Sequence, residues 1–208
     1  MKNFPRLTIL LFVFLVFNTS GQAQQYGLRL SHIKFVSNHG YILKPTLGAE
    51  FIYHLADIDD RIQAGFTLGF FTPKARFDTF PSYGLELGGN PIFLPGYETV
   101  KKYLAITGGL TVDYKILDQK ISPTVGSDFY AHFITYDNWD LIHGLHDTFS
   151  KEGSIAVGFA PKIGFSAELN DSFLLMAGVG KQIGLEALER GLVYYGYWKS
   201  HLSIIYFL

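Results

Sequence analysis

Hydrophobic and polar positions alternate with a period of two over much of the chain, and the longest such run covers 155–169. Odd positions there read Ile155, Val157, Phe159, Pro161, Ile163, Phe165, Ala167 and Leu169, while even positions read Ala156, Gly158, Ala160, Lys162, Gly164, Ser166 and Glu168. Successive side chains of a strand point to opposite faces, so this strand has one apolar face and one that is small or charged. Asn170-Asp171 supplies a tight turn, and Phe173, Leu175, Ala177 and Val179 alternate on the way back with Leu174, Met176, Gly178 and Gly180. That predicts a long hairpin. The same template predicts a pair at 41–54 and 62–70 around a polar turn at 57–60, and a third pair at 103–114 and 124–133 around a turn at 117–120. An opening strand near 26–35 and a closing one near 192–208 bring the predicted total to eight.

Connection lengths carry a second signal. The turns within the three hairpins are short, whereas 72–98 and 136–153 are long and rich in Gly, Pro and aromatic residues. Short turns at one end and long loops at the other is how spanning barrels are built, and each predicted strand supplies the ~9 to 11 tilted residues a crossing needs. A soluble lipocalin-like barrel or β-sandwich is the competing fold. Its polar face would meet water and carry many Lys, Glu and Asp. Here that face is mostly Gly, Ala, Ser and Thr with isolated charges, which suits the cramped interior of an eight-stranded cylinder.

Composition narrows the function classes. The 208 residues hold 17 Lys+Arg against 18 Asp+Glu, a net charge of −1, and no cysteine. A chain without basic surplus is poorly suited to neutralising phosphates, so nucleic acid is not an expected partner. Without cysteine there is no disulfide framework, zinc ribbon, iron–sulfur site or thiol nucleophile. Charged residues make up 17% of the chain, beside 19 Phe, 13 Tyr, 2 Trp and 22 Gly. Such a load of rings fits a surface that does not face water.

Residues 1–23 read as a secretory signal peptide and 24–208 as the barrel domain. Lys2 and Arg6 form a basic start, 7–17 an apolar core, and Gly21-Gln22-Ala23 a small-x-small cleavage site before Gln24. That apolar core is too short to cross a bilayer as a helix.

At this point the chain resembles the small eight-stranded outer-membrane β-barrels of the OmpX or OmpA-transmembrane type. The resemblance rests on the leader, the strand count, the loop asymmetry and a last strand in which Leu202, Ile204, Tyr206 and Leu208 alternate beside Phe207; this chain ends on Leu208, where that family usually closes on an aromatic residue. It implies an all-β, closed, antiparallel up-and-down meander in the outer membrane of a diderm bacterium, porin-like in architecture. Lipid is the expected partner, with other envelope proteins as further candidates.

Parity sends Arg29, Lys44, Glu50, Asp113, Asp128, Lys162, Glu168, Lys199 and His201 to the inside. Charges in such an interior need mutual pairing, so a plugged, salt-bridged lumen is expected rather than an ion path or an open channel. His201-Leu202-Ser203 sets a base and a hydroxyl on one strand face, the pair that outer-membrane lipid A deacylases use with an acidic partner. Both point inward, however, and seven residues from the end of a closing strand is about mid-membrane, away from the outer leaflet. Leu141, Ile142, Leu145 and Phe149 recur at helical spacing and predict a short amphipathic helix in 137–152; His143, His146 and Asp147 within it are too few for a convincing metal site. The 88–91 run, Gly-Gly-Asn-Pro, lacks the Lys and helix of a phosphate loop and reads as turn punctuation.

No catalytic, cofactor-binding or metal-ligating residues are therefore assigned and no cofactor is expected. The functional reading is a non-enzymatic outer-membrane barrel with a structural, adhesive or partner-docking role through its long outer loops. The alternatives are an accessory barrel of a larger secretion, conjugation or barrel-insertion assembly, and a lipid A-modifying hydrolase.

Overall fold

Alternation of large outward and small inward side chains closes the sheet into a cylinder. The computed structural model describes residues 25–36, 42–55, 61–76, 80–84, 94–142, 146–188 and 191–207. The predicted leader at 1–23, the turn at 57–60 and the 88–91 run lie outside them. Nine strands occur among the described residues: β1 (Gln25–Phe35), β2 (Thr46–His54), β3 (Ile62–Phe71), β4 (Phe80–Gly84), β5 (Leu94–Lys115), β6 (Ile121–Ile142), β7 (His146–Asn170), β8 (Phe173–Leu188) and β9 (Gly191–Phe207). All pairings are antiparallel. Each strand of the wall pairs with its chain neighbours, β1 pairs with β9, and β3 passes directly to β5, so eight strands form the wall. The ninth, β4, pairs only with the far end of β5.

The strands lie tilted. Following paired residues round the wall from Arg29 leads through Glu50, Gly69, Thr107, His132, Ala156 and Glu186 to Val193. Val193 lies beyond the loop-side end of the β1–β9 ladder at Phe35↔Tyr197. The path climbs as it turns, which is the stagger a closed barrel requires. One consequence is that residues on strands that never pair, such as Arg29 on β1 and Asp128 on β6, share one level of the interior.

Outward positions carry the hydrocarbon. Leu30 is 65% exposed, Phe159 45%, Phe165 61% and Ile163 63%, whereas Ala156, Ala160, Lys162 and Ser166 on the opposite face of the same strand run are buried. So large an apolar exterior on a closed cylinder is a surface for acyl chains, not for water. Backbone groups are satisfied within the wall, as hydrocarbon demands.

The long connections of the sequence reading turn out to be largely sheet. The ladder between β6 and β7 runs unbroken to Ile142↔His146, so 136–153 is mostly strand and the helix predicted in 137–152 is replaced by a hairpin. The helical spacing of Leu141, Ile142 and Phe149 arose from the two arms of that hairpin, Trp139 facing Phe149 and Leu141 facing Asp147 in register. Likewise 72–98 contains β4 and the start of β5. Strands β5, β6 and β7 are thus 22, 22 and 25 residues long, roughly twice a crossing, and continue as a sheet past the loop-side rim. A bulge between Lys101 and Leu104 marks where β5 leaves the wall. Lys102 adopts a left-handed φ of 51° there, and its ammonium meets Asp137 at 3.1 Å. Bulges of this kind bend a strand where its partners change.

At the opposite rim the turns are tight. Asn170 Oδ1 accepts from the Ser172 amide at 2.9 Å, an Asx-turn that reverses the chain into β8. Ser122 Oγ accepts from the Leu117 amide at 3.0 Å and stabilises the β5–β6 turn.

Candidate functional site

Three layers fill the lumen, and their chemistry differs. The middle layer is ionic. Arg29, from β1, is 1% exposed; its Nη1 donates to Glu50 Oε2 at 3.3 Å and Asp128 Oδ2 at 3.2 Å, and its Nε donates to Ser203 Oγ at 3.2 Å. Lys162, from β7, donates to Asp113 Oδ2 at 2.8 Å, to Asp128 Oδ1 at 2.7 Å and to Thr111 Oγ1. Lys199, from β9, pairs with Glu50 and lies 3.8 Å from Asp128. Three cations thus meet three carboxylates, with Asp128 touching all three cations. Removing ions from water is costly unless each finds partners of opposite sign and further hydrogen bonds; here every ion has a partner of opposite sign, and Ser203, Ser31 and Thr111 add hydrogen bonds to Arg29, Glu50 and Lys162.

Glycines make room for this layer. A Cβ on Gly126 would come 2.6 Å from Asp113 Oδ1 and 3.0 Å from Lys162 Cε, so no larger residue fits beside the ion pair.

The loop-side layer is aromatic. His132 lies between Thr107 Oγ1, 2.7 Å from Nδ1, and the Tyr197 hydroxyl, 3.0 Å from Nε2. Rings of Tyr130, Phe71, Tyr195 and Tyr197 surround it with centroids 4.4 to 5.8 Å away. Phe35, Ile33, Ile134 and Leu43 complete a buried cluster above the ions. On the turn side Leu174, Met176 and Ile205 form a small apolar layer, beside buried Gln25, His54 and Gln63.

Of the nine residues that parity sent inward, Arg29, Glu50, Asp113, Asp128, Lys162 and Lys199 come together in the ionic layer, and His201 stands beside it, half-buried. Two differ. Lys44 is exposed in the connection before β2, where the strand alternation no longer governs its direction. Glu168 sits at the turn-side mouth, its side chain 43% exposed, and binds Lys115 at 2.9 Å.

Ser203 Oγ accepts from Arg29 Nε and is buried within the wall. Of the metal candidates, His143 lies outside the described residues, and His146 and Asp147 pair along the β6–β7 ladder. No group of three or more metal-ligating side chains occurs among the described residues. The sequence reading did not anticipate the His132 cluster, although the inward parity of Tyr130, His132, Tyr195 and Tyr197 carried it.

Outside, aromatic residues edge the apolar belt on the turn side. Tyr53, Tyr26, Tyr206 and Phe173 are consecutive register partners across β2, β1, β9 and β8. Their rings touch, Tyr26 to Tyr53 at 5.4 Å and Phe173 to Tyr206 at 5.2 Å. This is a stretch of aromatic girdle at the turn-side interface, where amphipathic rings are favoured.

No family model and no curated protein matches the sequence. Among solved structures, Neisserial surface protein A is similar with a TM-score of 0.54 at 14% identity, over 88% of this chain and 96% of that one. Ail, the attachment invasion locus protein of Yersinia pestis, gives 0.48 at 9% identity over 90% and 100%. The outer membrane protein OprG of Pseudomonas aeruginosa gives 0.45 at 10% identity over 90% and 97%. At such identities the likeness is one of fold. The chain has the fold of the small eight-stranded outer-membrane β-barrels.

Proposed function

We propose that the chain is a non-enzymatic integral protein of the outer membrane, delivered by a cleaved leader at 1–23, that docks external or envelope partners through its loop-side sheet. The observation that carries this reading is the unequal wall: β5, β6 and β7 extend far past the ~9 to 11 residues of a crossing, while β1, β2 and β3 have 11, 9 and 10. An ion-filled lumen capped by packed rings argues against solute passage. With transport disfavoured, the built surface outside the bilayer is where a partner can engage. The sheet ends in β4, which among the described residues pairs only with β5, so its other edge supports strand-to-strand recognition.

The test replaces the hairpin segment 138–150 by a short turn. The trimmed barrel and the intact one are both expected to resist carbonate extraction and to migrate differently unboiled and boiled. A photo-cross-linker at Asp140 is expected to give discrete adducts on intact cells. Absence of adducts, or unchanged recovery of the same partner by the trimmed barrel in mild detergent, refutes the docking role. Recovery of the chain in the soluble periplasmic fraction refutes the membrane placement as well.

A further inference from the structure

On the loop side of β1, β9 and β8 the apolar belt gives way to a polar cluster. Lys34 on β1, Trp198 on β9 and Lys181 on β8 are consecutive register partners. Their inward neighbours Ile33, Phe35, Tyr197, Lys199 and Gln182 are buried, so these three face out. Lys181 Nζ stands 5.8 Å from the Trp198 ring centroid, a cation over an indole face. One rung nearer the turn side, His32 and Ser200 are also register partners and also exposed. Below them the outward positions of the three strands are Leu28, Leu30, Leu175, Ala177, Val179, Leu202 and Ile204.

Two measurements place this cluster at a bilayer surface. Tyr26 to Lys34, Trp198 to Tyr206 and Phe173 to Lys181 are each nine residues long, the span of a tilted crossing. Tyr26, Tyr206 and Phe173 belong to the turn-side girdle, so Lys34, Trp198 and Lys181 lie at the opposite interface. Neither lysine has a carboxylate within ion-pair distance among the described residues, in contrast to the buried cations.

We propose that Lys34, Trp198 and Lys181 bind the phosphate headgroup of an anionic lipid in the loop-side leaflet. Adjacent strands are about 4.8 Å apart, so the two lysine stems flank the indole at about 10 Å, a gap that flexible side chains close over a single phosphate. The indole N–H, His32 and the Ser200 hydroxyl add donors. Snorkelling alone lifts a lysine toward water. Two of them on the strands either side of a tryptophan, without an acid, create instead a site of positive potential that matches a phosphate in charge and a lipid in position.

Trp198 is the reporter. In a Trp139→Phe background the full chain is reconstituted into phosphatidylcholine vesicles doped with dibrominated phosphatidic acid or dibrominated diacylglycerol, and quenching of Trp198 is followed against dopant fraction. Quenching by the phosphate-bearing lipid is expected at about tenfold lower dopant fraction than by diacylglycerol. The Lys34→Gln/Lys181→Gln variant is expected to lose that preference, Lys34→Arg/Lys181→Arg to keep it, and Lys74→Gln, at an exposed lysine outside the cluster, to leave it unchanged. Added inorganic phosphate is expected not to displace the lipid. Equal quenching by the two lipids, retention of the preference in the glutamine variant, or displacement by free phosphate would each overturn the proposal. Should the double variant not assemble, Lys34→Gln alone serves the same comparison.

Discussion

Asp128 accepts from Arg29 and Lys162 and stands 3.8 Å from the Lys199 ammonium, which makes it the residue whose loss leaves most charge uncompensated. Asp128→Ala is expected to lower stability by ~3 to 5 kcal/mol, the cost of stranding a buried ion, read as the urea midpoint of tryptophan emission in detergent micelles. Asp137→Ala breaks a pair whose lysine is 83% exposed and is expected to cost ~1 kcal/mol or less. Equal losses in the two variants would mean that the ionic layer does not hold the lumen together. Space is as decisive as charge. Gly158 and Gly184 oppose each other in register, and a Cβ on Gly158 would come 2.6 Å from Gly184 Cα and 2.7 Å from the Tyr130 hydroxyl. Gly158→Val is expected to destabilise by ~1 to 3 kcal/mol through overpacking, in the same measurement.

At the scale of the strand, one face meets acyl chains and the other meets ions. Phe159→Arg places a charge on the outward face of β7 and is expected to cost ~2 to 4 kcal/mol near mid-membrane, measured by reversible folding into vesicles; a neutral outcome would contradict a lipid-facing wall. Strand direction was legible from the sequence because period two is a local property. Phe159 out and Lys162 in needed only the alternation of 155–169, and the same logic sent all six residues of the ionic layer to the inside. Strand length was not legible. The alternation in the sequence weakens over 136–153, past the length of a crossing, so these ends of β6 and β7 read as a loop with a helix. Lys44 was misplaced for a related reason: parity holds only inside a strand, and β2 begins at Thr46. Which residues share a level was also hidden, since that depends on the stagger of the whole wall.

For the whole molecule, the layered lumen predicts behaviour in a planar bilayer: no sustained open-channel current, because ions and packed rings fill an eight-stranded interior. Stepwise conductance from the intact protein would contradict that packing. The leader reading predicts that the mature polypeptide starts at Gln24, which intact mass of the membrane-extracted protein decides. The seam between β1 and β9 has a different consequence. It is as complete as any other junction, running from Gln25↔Phe207 to Phe35↔Tyr197, and Gln25 and Phe207 stand side by side on the turn-side rim. Topologically the cylinder has no privileged first strand. A circular permutant that joins Phe207 to Gln25 through a few glycines and opens at Asp171-Ser172 would trace the same ring of hydrogen bonds, and its assembly would owe nothing to the order in which the strands leave the ribosome.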